Sequence, residues 1–141
     1  MGGYQLKEYS FFFEAFFLLH LSKFIIWLVP FRIIVKKLGT VNLQSPFEHE
    51  REKEVESITQ AILRAGKRTF VRNNCYNRAL TAKMMLSRRK ISYTFFLGVS
   101  KSGGVLKAHA WIRSGSLVVT GKSEMTHFTP VSFFSKLYEI S

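Results

Sequence analysis

Two residues of this chain are of the right types to do chemistry together. The single cysteine stands at the expected start of a helix, in Cys75-Tyr76-Asn77-Arg78-Ala79-Leu80, and 34 residues later a strand-like stretch carries His109-Ala110-Trp111. A thiol at a helix N-terminus with a histidine on a neighbouring strand is how a cysteine nucleophile is commonly assembled, because the helix end favours the thiolate and the imidazole accepts its proton. A buried, purely structural cysteine is the competing reading. One cysteine excludes a disulfide within the chain and any multi-cysteine zinc site. His20, His49 and His127 show no metal-ligand spacing with one another, so neither a metal nor another cofactor is expected.

Such a pair needs a helix that meets a sheet, and the second half of the sequence supplies both. From Cys75 to about Arg89, Ala79, Leu80, Lys83, Met84 and Leu86 recur at helical spacing, and Arg88-Arg89-Lys90 suits the negative end of the helix dipole. The period then changes to two. Ile91 to Val99, Val105 to Arg113 and Leu117 to Thr120 read as strands separated by Ser102-Gly103-Gly104 and Ser114-Gly115-Ser116. An antiparallel sheet of about three strands packed on helices makes the fold class α+β. On the middle strand Leu106, Ala108, Ala110 and Ile112 share one face, and Lys107, His109 and Trp111 share the other. His109 is thus off the fully apolar face, and it meets the Cys75 helix if that helix packs across its side.

The first half reads as helical. Residues 10–29 are mostly Phe, Leu and Ile, closed by Pro30, but Glu14, His20, Ser22 and Lys23 scatter around the helix. Two charges at roughly 5–7 kcal/mol about cancel the gain from the apolar residues, so insertion arithmetic does not decide for a membrane span. The expectation is a helix buried on most sides by its own domain or by a partner, with weak membrane association through residues 10–38 as the alternative. Pro30 and Gly39 bracket a second helix at about 31–38, made basic by Arg32, Lys36 and Lys37. Ser45-Pro46-Phe47-Glu48 has the form of a capping box opening a helix to about residue 66, with Val55, Ile58, Ala61, Ile62 and Ala65 on one face. The chain is expected to be one domain, residues 1–141, with a helical part (1–66) and a part made of the Cys75 helix and the sheet (67–141).

Composition narrows the partners. The 141 residues include 14 phenylalanines and carry a net charge of +12. The aromatic excess implies a heavy aromatic core or a surface that is normally covered. The charge suits nucleic acid, anionic lipid or an acidic peptide, but no helix-turn-helix, finger or aromatic RNA-binding signature accompanies it, so no nucleic acid is expected. The lone cysteine and the lack of a secretory leader point to the cytoplasm. Lys7 and Glu8 precede the apolar run with no cleavage site after it, and Leu6 stands where myristoylation needs Ser or Thr.

In order and spacing, Cys75-Tyr76-Asn77-Arg78-Ala79-Leu80, His109-Ala110-Trp111, Val118-Val119-Thr120-Gly121 and Phe128-Thr129-Pro130-Val131 resemble the standalone leader peptidases of lasso-peptide biosynthesis, which are transglutaminase-like cysteine proteins. The resemblance extends upstream through Pro30-Phe31-Arg32 and covers nearly the whole chain. It implies a papain- or transglutaminase-like core with Cys75 as nucleophile and His109 as general base and acid. It also implies removal of a leader from a ribosomally made precursor peptide, before an ATP-dependent macrolactam synthetase closes the ring. Fused relatives carry a winged-helix-like leader-recognition module. Residues 1–70 leave no room for one, so a separate recognition protein is expected, with residues 11–28 as a docking candidate.

One departure stands out. Such triads usually gain an Asp on the strand after the histidine, and residues 117–122 hold no carboxylate. Glu124 and Thr120 are the candidates for a third member. The Cys75 backbone N–H is the expected oxyanion donor, with Asn73 or Asn74 as a further side-chain donor or simply a helix cap. Trp111 and Arg78 are candidate substrate contacts. The basic residues Arg64, Lys67, Arg68, Arg72, Arg78, Arg88, Arg89 and Lys90 surround the site in sequence, either to steer an acidic leader or as a solvated face. Two other readings stay open. One is an inactive, membrane-associated scaffold of the same biosynthetic complex; the other is an amide-forming acyltransferase that uses an amine in place of water.

Overall fold

A computed structural model describes residues 2–43, 45, 51–69 and 74–138, and the side chains of all of these except 2–7, 102 and 124. Helix α1 (Gly2–Leu28) is followed by α2 (Phe31–Lys36), β1 (Thr40–Val41), α3 (Glu52–Gly66) and α4 (Cys75–Arg88). Strands β2 (Tyr93–Ser102), β3 (Val105–Ser114) and β4 (Leu117–Thr120) come next, then the short helix α5 (Lys122–Met125) and β5 (Thr129–Lys136). The fold is α+β, and among the described residues its sheet has five strands in the order β1-β5-β2-β3-β4, all antiparallel.

The two strands beyond the expected three have a physical explanation. Strand β5 contains Pro130, which ordinarily argues against a strand. Here it pairs with Gly98 at an irregularity in the register with β2. On the other side of β5, β1 pairs with Phe134 and Ser135 and Asn42 donates to the Phe133 carbonyl, so among the described residues Pro130 lies beyond the reach of that pairing. Strand β1 is two residues long and carries no periodicity to detect.

Helices cover one face of the sheet. Ala110 and Ile112 of β3, Phe95 of β2, Val119 of β4 and Phe134 of β5 join Ala79, Ala82, Met85 and Leu86 of α4 in one buried cluster. Val55, Ile58, Ile62 and Ala65 of α3 complete it with Phe11, Ala15, Leu18 and Leu19 of α1. The apolar face expected for α3 is thus the buried one. Its start is different: the residue preceding the helix is Arg51, and Ser45 serves elsewhere, its backbone N–H and hydroxyl both meeting the Thr94 hydroxyl at 2.8 Å. Pro46, Phe47 and Glu48 lie outside the described residues. Proline 30 sits one position before α2, and the bar on helical conformation just ahead of a proline explains why α1 stops there.

Helix α1 is buried on one side, not on most sides. Three of the polar residues that look scattered in sequence have partners. Glu14 pairs with Arg88 at 2.6 Å and with Arg89 at 2.7 Å. Ser22 meets the Thr81 hydroxyl at 3.1 Å, and the ring of His20 is 2.8 Å from the Phe16 carbonyl. Opposite the core, Tyr9, Phe13, Phe17, Phe24 and Trp27 are exposed, Trp27 by 77%. Residues Glu8–Leu28 are long and apolar enough to cross a membrane, a property that the core helix of a soluble protein shares.

Candidate active site

Helix α4 begins at Cys75 because Asn74 caps it. The Asn74 side-chain oxygen accepts the Asn77 backbone N–H at 2.9 Å, and its backbone carbonyl accepts the Arg78 N–H at 2.9 Å. Asn77 then locks the first turn to α1. Fully buried, it donates to the Leu19 carbonyl at 3.0 Å and to the Ser22 hydroxyl. A buried amide with these partners holds an orientation that apolar contacts alone do not specify. Sequence reasoning missed Asn77, although Asn77 and Thr81 one turn apart on the buried face of α4, matched by Ser22 on α1, were its visible signal.

His109 is held more tightly still. It is 3% exposed, with its ring stacked between Trp111 (centroids 5.5 Å apart) and Phe128 (4.9 Å). The stack continues from Trp111 to Phe96 at 5.3 Å and from there to Phe133 at 6.0 Å, so five rings line the sheet face away from the helices. The His109 Nε2 lies 3.1 Å from the Gly121 carbonyl. A carbonyl only accepts, so Nε2 carries the proton, and in the neutral ring Nδ1 is the basic nitrogen. A carboxylate in a triad would accept from a ring nitrogen in the same way.

Gly121 is required there on two counts. Its φ is +82°, and a Cβ would fall 2.9 Å from His109 Nε2 and 2.8 Å from Trp111 Cβ. A backbone carbonyl has no sequence signature, which is why Gly121 was seen only as part of a motif. Gly98, directly across from His109 on β2, clears the space for the Trp111 ring, whose Cζ3 would be 2.7 Å from a Cβ.

The remaining candidates separate. Thr120 is 7% exposed, and its hydroxyl is buried without a hydrogen-bond partner among the described residues. Glu124 is in α5, and its side chain lies outside the described residues, as do Asn73 and Arg72. Trp111, expected to touch substrate, is 5% exposed between two rings, so it supports the imidazole instead. Arg78 and His109 line one cavity of about 460 Å³ with Thr59, Gly66, Lys67 and Thr120. Arg78 lies one helical turn after Cys75, so this cavity brings the first turn of α4 to the His109 edge of the sheet. Helix α4 reaches it while packing on the Ala110 and Ile112 side, not on the side of His109. Cys75 is half-buried, packs with Tyr76 against the apolar cluster, and is not one of the residues lining the cavity. Burial pushes the Tyr76 hydroxyl up to about 12.

The basic cluster divides as well. Arg88 and Arg89 are about 20 Å along α4 from Cys75 and are tied to Glu14. Arg64 lies 3.9 Å from Glu8. Lys67 and Arg78 face the cavity.

A cysteine opening a helix that packs on a strand carrying histidine defines the papain- and transglutaminase-like class of thiol proteins. Residues 25–133 match the transglutaminase-like superfamily, and the chain belongs to that superfamily. Membership suggests cysteine peptidase or acyltransferase chemistry. No curated protein and no solved structure gives a significant match.

Proposed function

We propose that this protein is a cytoplasmic cysteine peptidase that removes the leader from a ribosomally made lasso-peptide precursor. It works with a separate leader-recognition protein, ahead of the ATP-dependent synthetase that closes the macrolactam. The observation that best supports a hydrolytic site is the one cavity lined by Arg78, from the first turn of the capped α4 that starts at Cys75, and by His109, whose Nε2 meets the Gly121 carbonyl. The Cys75 thiolate attacks the scissile carbonyl, and the oxyanion is met by the Cys75 backbone N–H, which has no intrahelical partner at this position. The Asn74 side-chain oxygen is committed to the cap, so only its amide NH₂ is a donor toward the oxyanion. His109 then protonates the departing amine, and water hydrolyses the thioester. In the unliganded chain the thiol packs against the core, and catalytic contacts of this kind tighten when substrate binds.

The test is incubation of the precursor with this protein and its recognition partner, read by intact mass. Free leader and core, whose masses sum to the precursor plus one water, support the peptidase, and Cys75→Ala abolishes them. A product joined through a new amide points to the acyltransferase that superfamily membership equally suggests. An inert precursor together with an unreactive thiol points to the scaffold, a reading favoured by the carbonyl, not a carboxylate, that meets His109 Nε2.

A further inference from the structure

The outer face of α1 and the adjoining α2 carry a surface that the catalytic reading does not use. Tyr9, Phe13, Phe17, Phe24 and Trp27 recur at helical spacing, each at least 55% exposed, and Phe31 and Ile33 continue the apolar surface onto α2. The carboxylates of α1 are turned to other work. Glu8 accepts from Ser57 and faces Arg64, while Glu14 is held by Arg88 and Arg89. Arg32 and Lys36 on α2, and Lys37 just after it, are exposed.

A second observation lies where α1 meets α2 and α4. Ile25, Val29, Ile34, Leu38, Leu80 and Met84 line an apolar cleft of about 310 Å³, with Lys37 and Lys83 also on its walls. Burial, together with the like charges of Lys136 and Lys37, pushes the Lys83 ammonium below its usual range. Two ammonium groups, Lys37 and Lys83, on the walls of an oily cleft match an acyl chain with an anionic headgroup.

We propose that α1 and α2 form a docking surface for an anionic phospholipid membrane. The aromatic face of α1 beds into the headgroup layer, the basic residues of α2 meet lipid phosphates, and the cleft admits part of an acyl chain. The helix lies along the surface and does not span it, because Phe11, Ala15, Leu18 and Leu19 on its other side are committed to the core. This inference is independent of the peptidase reading.

The test is co-sedimentation of the full chain with phosphatidylcholine vesicles, with and without phosphatidylglycerol. Binding is expected only when the anionic lipid is present, and it should weaken as salt is raised. Phe24→Ser with Trp27→Ser, or Lys37→Glu with Lys83→Glu, should each reduce it about tenfold or more while circular dichroism stays unchanged. Folded protein that ignores anionic vesicles overturns the proposal. So does binding that survives both pairs of substitutions, or a stable dimer that buries Trp27 and leaves vesicles untouched.

Discussion

The aromatic residues of this chain are used in two opposite ways. Along one face of the sheet, Phe133, Phe96, Trp111 and Phe128 form a series of ring contacts with His109, and the ring at the centre of the proposed chemistry is 3% exposed. On α1, Phe13, Phe17 and Trp27 stand more than 60% exposed. Composition sees both groups as one excess, yet the first fixes the position of an imidazole and the second is an unclosed surface. The contrast shows that aromatic content measures neither core nor interface until the partner of each ring is known.

The strongest way to break this contrast is at the centre of the stack. His109→Ala and Cys75→Ala should each reduce precursor processing by at least about a thousandfold, measured by single-turnover mass analysis. The rate of Cys75 alkylation should also fall in His109→Ala. If His109→Ala leaves both rates intact, the stacked rings support only the fold, and the histidine is a core residue.

Gly121→Ala comes next. The added methyl meets His109 Nε2 and Trp111 Cβ inside 3 Å, and the positive φ adds strain of about 1–3 kcal/mol. Displacing the ring by a fraction of an ångström should cost on the order of a hundredfold in rate, while the protein remains folded at low temperature. A loss of stability with an unchanged rate per folded molecule would show that the carbonyl does not orient the ring.

These two sites also show what the sequence could and could not reveal. Cys75 and His109 as candidates, and the bounds of α4, β3 and β4, were legible because residue type and period state them directly. Gly121 was not, since its contribution is a carbonyl that every residue possesses. Strand β5 was hidden by Pro130, and the start of α3 by a capping box whose serine instead joins Thr94 and Ser135 in a buried hydroxyl network. The side of the sheet chosen by α4 depends on which of two apolar faces the other helices cover, and no local pattern records that choice.

A paired truncation sharpens the contrast at smaller cost. Phe128→Ala removes a ring 4.9 Å from the imidazole and should lose about 1 kcal/mol of stacking, seen as several-fold slower processing. Phe17→Ala, at 63% exposure, should change stability by no more than about 0.5 kcal/mol and leave processing of a soluble precursor untouched. Equal effects from the two would mean that the face of α1 is covered in the folded protein in solution.

The smallest effect concerns Lys83, beside the bare end of α1. Burial first, then Lys136 and Lys37, depresses its pKa below the usual 10.5. In the window between the folded and unfolded pKa values the unfolded chain holds more protons, so stability rises with pH through that window. Below it, at neutral pH, the full penalty of a charged Lys83 applies. Lys83→Met should therefore raise the melting temperature slightly at neutral pH and flatten the rise toward pH 10. A cation kept at a cost to the fold is expected where it meets an external anion, so the same variant should bind anionic vesicles less well. If Lys83→Met instead lowers the melting temperature, the ammonium has a compensating partner within the fold, and the cleft has no uncompensated charge to offer a lipid.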